Sequence, residues 1–122
     1  MKRRPGPRTP VIRIADLESG MPSVHDALTR LDQELAAARR ANSRIVKLIH
    51  GYGSSGVGGD IRVAVQRRLI EMRQSDRIRS CIFGEDWSIS DEQTWKLLQA
   101  QPQLKADRDL GRKNLGITIV VL

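Results

Sequence analysis

A glycine-rich segment that follows an apolar run is the part of the chain best suited to chemistry. Residues 50–59 read HGYGSSGVGG and contain five glycines. Glycines let backbone N–H groups approach an anion without interference from a Cβ, and the amino-terminal end of a following helix attracts negative charge. The segment therefore predicts a phosphate-binding turn. His50 stands at the end of the preceding run, where its side chain can face this turn.

Two known phosphate-binding motifs can be compared with the same segment. Residues 51–56 satisfy the GxGxxG pattern of dinucleotide-binding domains, but no acidic residue ends a strand about twenty positions later. Glu71 falls inside a predicted helix instead, and the chain is too short for such a domain together with a substrate domain. A Walker A motif is excluded, because no Gly-Lys-Ser/Thr follows the turn. The pattern therefore only weakly supports a dinucleotide site.

Four strands and three helices are predicted around this segment, in the order β-α-β-α-β-α-β. The predicted strands cover residues 11–17, 44–50, 78–83 and 117–122, and the predicted helices cover 23–40, 60–72 and 90–101. Ser23 with Asp26, and Ser90 with Gln93, have the spacing of helix-capping pairs. Strands that alternate with helices indicate a sheet that is at least partly parallel and is covered by helices.

Length and composition describe one compact domain. The chain has 122 residues, and 39% of them are hydrophobic, enough for a modest core. Residues 1–10 are basic, are interrupted by Pro and Gly, and lack an apolar region behind them, so a flexible arm is predicted rather than a secretory signal. No apolar run reaches the roughly 20 residues of a membrane span. The single cysteine, Cys81, fits a reducing compartment, and we expect a cytoplasmic protein with no membrane partner.

Charge favours a polyanionic partner. The formal net charge is +7, and 16 of the 21 basic residues are arginine. Residues 1–84 hold 16 basic and 8 acidic residues, so the excess lies in that part of the chain. The planar fork of arginine donors suits phosphate oxygens, and a concentrated positive field favours nucleic acid. A solvated basic face without a partner would give the same counts.

Two motifs resemble the small MutS-related (Smr) domain family. The tetrad His50-Gly51-Tyr52-Gly53 lies between a strand and a basic helix, as that family's His-Gly-x-Gly does. The closing segment 116–122, GITIVVL, is similar to the family's Gly-x-Thr-x-Val-x-Leu strand. The step Asp26-Ala27-Leu28 also matches, and the resemblance extends over residues 11–84 and 114–122.

The resemblance implies a fold and an activity. The implied fold is an α/β two-layer sandwich, a mixed sheet with helices packed on it, similar to the C-terminal domain of translation initiation factor three. The implied activity is binding of DNA or RNA, with endonuclease cleavage of phosphodiester bonds in many members. Under this interpretation His50 is a general acid or base and Asp16 orients it. The expected nucleic-acid-binding residues are Lys47, Gly51, Tyr52, Gly53, Gly56, Arg62, Arg67 and Arg68.

Two departures from the family pattern leave an alternative open. Glu18 stands where the family has a basic residue after its first strand, and its carboxylate would repel a phosphate. Asp16, Glu18 and His50 are too weak a ligand set to predict a metal, so no cofactor is expected. Residues 85–113 form an acidic insertion with Trp87 and Trp95. The alternative is a non-catalytic module that keeps the fold and recruits a protein through this insertion. In either case we expect one domain over residues 11–122.

Overall fold

Helices and strands follow one another in the predicted order. The computed structural model describes residues 12–53 and 57–122, so the predicted basic arm and Gly56 lie outside the described residues. The strands are β1 (Ile12–Asp16), β2 (Ile45–Ile49), β3 (Ser80–Phe83) and β4 (Ile117–Val121). The helices are α1 (Val24–Arg40), α2 (Val57–Gln74) and α3 (Glu92–Ala100), with 3₁₀ turns at Gly84–Asp86 and Pro102–Ala106.

The four strands form one mixed sheet in the order β1-β2-β4-β3. β1 and β2 are parallel, and β4 runs antiparallel to both of its neighbours. The carboxyl ends of β1, β2 and β3 therefore lie at one end of the sheet, together with the amino end of β4. This end, which carries the glycine segment, is called the glycine end below.

Helices α1 and α2 cover one face of the sheet. Alternation along each strand sends every second side chain to that face, where Val46 and Leu48 of β2 meet Leu31 and Leu35 of α1 and Leu69 of α2 in an aliphatic core. These side chains are at most 1% exposed. Burial of apolar surface between the sheet and the two helices is thus the main stabilising contribution on this side.

The 85–113 insertion covers the opposite face. Trp87, Leu98 and Leu104 pack there against Ile45, Ile119 and other strand residues in a second core. The mixed sheet with helices packed on it agrees with the predicted α/β fold. The prediction has two layers, whereas the structure has three. The insertion forms the third layer, because its apolar side chains cover the face of the sheet that α1 and α2 leave open.

One of the three helix starts is the predicted one, and the other two differ from the prediction by a few residues. Ser23 caps α1, its side chain accepting a hydrogen bond from the Asp26 N–H at 3.1 Å, as predicted. The cap of α3 is Asp91 rather than Ser90, since the Asp91 carboxylate accepts from the Thr94 N–H at 2.9 Å. Helix α2 begins at Val57, three residues before the predicted start at Asp60. None of the helices in the described ranges is long and apolar enough to cross a membrane.

Candidate functional site

The glycine turn is bonded to the start of β4. The Gly116 carbonyl accepts hydrogen bonds from the N–H groups of His50 at 2.9 Å and Gly51 at 3.0 Å. Gly51 and Gly53 both have left-handed backbone, with φ of 72° and 63°, which L side chains rarely adopt. The two segments that carry the family resemblance, His50–Gly53 and 116–122, are therefore in direct contact, and the turn after β2 is fixed to a central strand.

His50 is buried beneath this turn. Its ring is 0% exposed, and it lies on the helix-covered face of the sheet. Nδ1 is 2.7 Å from the Gly51 carbonyl, and Nε2 is 2.8 Å from the Thr118 hydroxyl. A carbonyl only accepts, so Nδ1 carries the proton, and in the neutral ring Nε2 accepts from Thr118. Both ring nitrogens are thus occupied within the fold.

Burial also sets the charge of this ring. Desolvation lowers the pKa of His50 below its usual value, and the nearby positive charge of Arg62 adds to the effect. The hydrogen bond with Gly51 and the charge of Glu85 oppose the shift without reversing it. His50 is therefore a neutral, hydrogen-bonded ring at pH 7. Its predicted catalytic role stays a prediction, and this arrangement offers no free ring nitrogen to a substrate.

Asp16 and His50 are on opposite faces of the sheet. Asp16 pairs with Ile49 in the parallel register, so the two strand ends are adjacent, as the resemblance implies. The Asp16 carboxylate accepts hydrogen bonds from the N–H groups of Glu18 and Ser19, both at 2.9 Å. The expected orienting contact with His50 is therefore replaced by a turn-stabilising role, and Thr118 holds the histidine instead.

Lys47 is a buried side chain of β2 and not an exposed one at the glycine turn. Because side chains alternate along β2, Lys47 projects to the face opposite that of His50. It is 4% exposed, and its ammonium pairs with Asp107 at 2.9 Å and with Asp109 of the insertion. Two carboxylates therefore already neutralise this buried charge, and the predicted contact of Lys47 with nucleic acid stays a prediction that this arrangement does not favour.

Asp109 links this buried pair to the glycine end. The Asn114 amide donates to Asp109 at 3.1 Å, and the Gly116 N–H donates to the Asn114 side chain at 2.8 Å. Burial alone would raise the pKa of Asp109, but the hydrogen bonds from Lys47 and Asn114 outweigh it and hold that pKa below its ordinary value. Lys47 thus anchors the segment that precedes β4.

The three arginines predicted on α2 differ in their surroundings. Arg62 pairs with Glu85 at 2.7 Å, and Arg68 pairs with Asp32 at 2.8 Å. Arg67 is exposed and has no carboxylate partner among the described residues. Of these three arginines, Arg67 is therefore the one whose guanidinium is exposed and unpaired, so it can contact a phosphate without breaking an ion pair.

Tyr52 borders a groove that sequence reasoning did not identify. The groove has a volume of about 630 Å³ and is lined by Tyr52, residues 108–109 and residues 112–115. Arg108, Arg112 and Lys113 place three cations beside the exposed Tyr52 ring. The spacing of these three basic residues just before β4 was a visible signal, but the register that joins β4 to β2 is needed to bring them to Tyr52.

The two tryptophans of the insertion have different roles. Trp87 is 0% exposed and donates its indole N–H to Asp107 at 3.1 Å. Trp95 is 53% exposed on α3, and nearby in sequence Ile89 is 66% exposed. Most of the insertion is thus explained by covering the sheet. Within the described ranges, no three His, Cys, Asp or Glu side chains form a group that could hold a metal ion.

Comparison with known proteins identifies the fold. No family model matches the sequence, and no curated protein does. Among solved structures, the crystal structure of the Smr domain of Thermus thermophilus MutS2 is similar, with a TM-score of 0.55 and 24% identity. The match covers 90% of this chain and 96% of that chain. The chain thus has the fold of an Smr domain, as its two motifs indicate.

Proposed function

We propose that this Smr-like domain binds nucleic acid through its glycine end. The observation that carries the proposal is positive charge that folding leaves unneutralised. Five basic side chains of the described residues pair with carboxylates: Arg13, Lys47, Arg62, Arg68 and Lys96. The formal net charge is +7, and four of the 21 basic residues lie in residues 1–10. The described residues hold the other 17 basic residues against 14 acidic ones, and exposed cations such as Arg67 and Arg112 have no carboxylate partner among them.

The glycine end adds geometry to this charge. The left-handed turn at Gly51 and Gly53 precedes α2, whose amino-terminal end favours a phosphate through its dipole. The family resemblance, carried by the His50–Gly53 tetrad and the β4 segment, points to the same class of ligand. Charge, turn and fold therefore support one conclusion, a nucleic-acid-binding domain.

The proposed function is binding of nucleic acid, and it does not include cleavage by His50. A general acid or base must come within hydrogen-bond reach of the atom whose proton it transfers. The His50 ring is enclosed, with Nδ1 donating to Gly51 and Nε2 accepting from Thr118. Cleavage through this ring would require the turn to open, whereas phosphate contacts by surface cations require no change of structure.

A binding titration tests the proposal. Labelled single-stranded and duplex DNA and RNA are titrated with the protein at two salt concentrations, with polyglutamate as a polyanion that lacks phosphates and bases. We expect nucleic acid to bind, with an affinity that falls steeply with salt because counterions are released, and polyglutamate to bind more weakly. Equal binding of polyglutamate, or no binding of nucleic acid at low salt, would refute the proposal. Product sizes from the same samples test for cleavage.

A further inference from the structure

The groove beside Tyr52 is lined by three cations and one carboxylate. Among the described residues, Arg108, Arg112 and Lys113 form no ion pair, whereas the one acid in the lining, Asp109, is bound by Lys47. Lys47 is shared between Asp107 and Asp109 and compensates Asp109 only in part, but three cations against one carboxylate leave the groove lining positive overall. A groove of about 630 Å³ lies within the range of pockets that hold small organic ligands, so a nucleotide unit fits.

The chain segment that carries the three cations is held in place before any ligand arrives. Asp109 is fixed by Lys47 and Asn114, and the Gly111 N–H donates to the Trp87 carbonyl at 2.8 Å. The Gly116 N–H completes the connection by donating to the Asn114 side chain. Because this segment is already ordered, binding there avoids most of the entropy cost of immobilising a loop.

Tyr52 presents an aromatic surface next to these cations. The side chain is 57% exposed, although an apolar ring gains by burial. Its backbone is fixed between two glycines with left-handed backbone, Gly51 and Gly53. One edge of the ring lies against the start of β4, since a Cβ on Gly116 would be 3.4 Å from the Tyr52 Cδ1. The remaining surface is open for stacking.

We infer that this groove binds an unpaired nucleotide of a single strand, with the base stacked on Tyr52 and the flanking phosphates contacted by Arg108, Arg112 and Lys113. Bases within a duplex are already stacked on their neighbours, whereas unpaired bases stack readily on protein aromatic rings. The inference rests on the proposed function and specifies its substrate as single-stranded. It also assigns a binding role to the part of the insertion that does not cover the sheet.

Matched variants test this assignment. Tyr52→Ala removes the ring and Tyr52→Phe keeps it. A triple variant, Arg108→Ala/Arg112→Ala/Lys113→Ala, removes the groove charge. The control Arg40→Ala/Arg73→Ala/Arg79→Ala removes the same charge at the opposite end of the sheet, where these exposed residues form no ion pair in the described part of the chain. Thermal unfolding of each variant confirms that it is folded.

The probes are a short oligodeoxythymidylate, a short oligouridylate and a duplex of the same length. We expect Tyr52→Ala to weaken single-strand binding about fivefold or more, and Tyr52→Phe to bind like the wild type. The groove triple variant should reduce the slope of log affinity against log salt by about 2, since each phosphate contact contributes about 0.7 for single strands. The control triple variant should change the slope by less than half as much.

The outcomes separate two kinds of failure. If the wild type binds no nucleic acid, the proposed function fails and the assignment fails with it. If the wild type binds but both groove variants bind like the wild type, only the groove assignment is overturned. Equal losses on the duplex and the single strands would refute the single-strand specificity. Equal losses from the two triple variants would show that net charge alone drives binding.

Discussion

The Glu18 carboxylate lies directly against the backbone of Gly51. A Cβ built on Gly51 would be 2.1 Å from Glu18 Oε2, so an acidic side chain occupies the surface of the turn proposed to face phosphates. Glu18 places a negative charge at the edge of the glycine end, where it opposes a polyanion.

Glu18→Lys should therefore strengthen binding of nucleic acid. Exposed charge interactions are worth about 0.2–1 kcal/mol, so we expect a gain in affinity of about threefold at low salt. The measurement is fluorescence anisotropy with a labelled oligonucleotide. Glu71→Lys, which makes the same charge change at an exposed position in the last part of α2, is the control and should gain less. Equal gains would show that Glu18 has no local effect.

Lys47→Met should destabilise the fold strongly. It leaves the carboxylates of Asp107 and Asp109, 10% and 14% exposed, without their common cation. Breaking a buried ion pair in this way costs about 3–5 kcal/mol, measurable by urea unfolding. Lys105→Ala, at an exposed site on the same insertion, should change stability by less than about 0.5 kcal/mol. A further change of both aspartates to asparagine should recover part of the loss.

Much of the fold was predictable because its signals are local. The apolar alternation of the strands, the Ser23 cap and the two glycine-bearing motifs are each contained in a few consecutive residues. The role of Lys47 was not predictable in this way, because its partners lie about 60 residues away in a segment that reads as a polar loop. The sequence therefore predicts that Lys47 binds phosphate, whereas the structure pairs it with two carboxylates of the insertion.

The site was predicted in outline and missed in detail for the same reason. The His50–Gly53 tetrad indicated where the glycine turn lies. However, the face on which each side chain stands depends on strand register, which put Asp16 on the opposite face from His50 and brought Thr118 to it. The groove cations reach Tyr52 only because β4 pairs with β2.

Stability should fall as the pH is lowered below about 6.5, the ordinary histidine pKa. The pKa of His50 is lower in the folded state than in the unfolded chain. The unfolded state therefore takes up a proton first, and acidification favours unfolding between the two pKa values. Urea unfolding between pH 7 and 5 measures this loss, and His50→Gln should flatten it in that window.

The matched control for this pH dependence is His25→Gln. His25 is exposed on the first turn of α1, so its replacement should leave the slope between pH 7 and 5 nearly unchanged. A slope that survives in His50→Gln and disappears in His25→Gln would contradict the assignment of the effect to the buried ring.

Gly84→Ala should be the most damaging glycine substitution at the glycine end. Its Cβ would be 1.7 Å from the Asn114 carbonyl oxygen and 2.8 Å from that of Ile117, both backbone atoms that cannot move independently. We expect a loss of about 3 kcal/mol or more. Gly111→Ala is the control: it has a φ of +78° with no atom within 4 Å, so about 1 kcal/mol of backbone strain is expected. Similar losses for both would contradict the close packing at Gly84.

Trp95→Ala should leave nucleic-acid binding unchanged. The side chain is on α3, outside the groove lining, and 53% exposed, so its truncation should have little effect on stability. Trp87→Ala, by contrast, should destabilise the domain by about 3–5 kcal/mol, because it empties a fully buried site. A loss of nucleic-acid binding in Trp95→Ala would place the interface on the insertion helix instead of the glycine end.

The central claim is that nucleic acid lies across the glycine end, and backbone amide chemical shifts measure this most directly. A short unlabelled oligonucleotide is titrated into the isotope-labelled wild-type protein. We predict the largest shifts at residues 51–53 and 108–115, with little change at Arg40 and Arg79 and at the exposed Trp95 indole. Shifts centred on the opposite end of the sheet or on α3, or none at saturating oligonucleotide, would contradict the account.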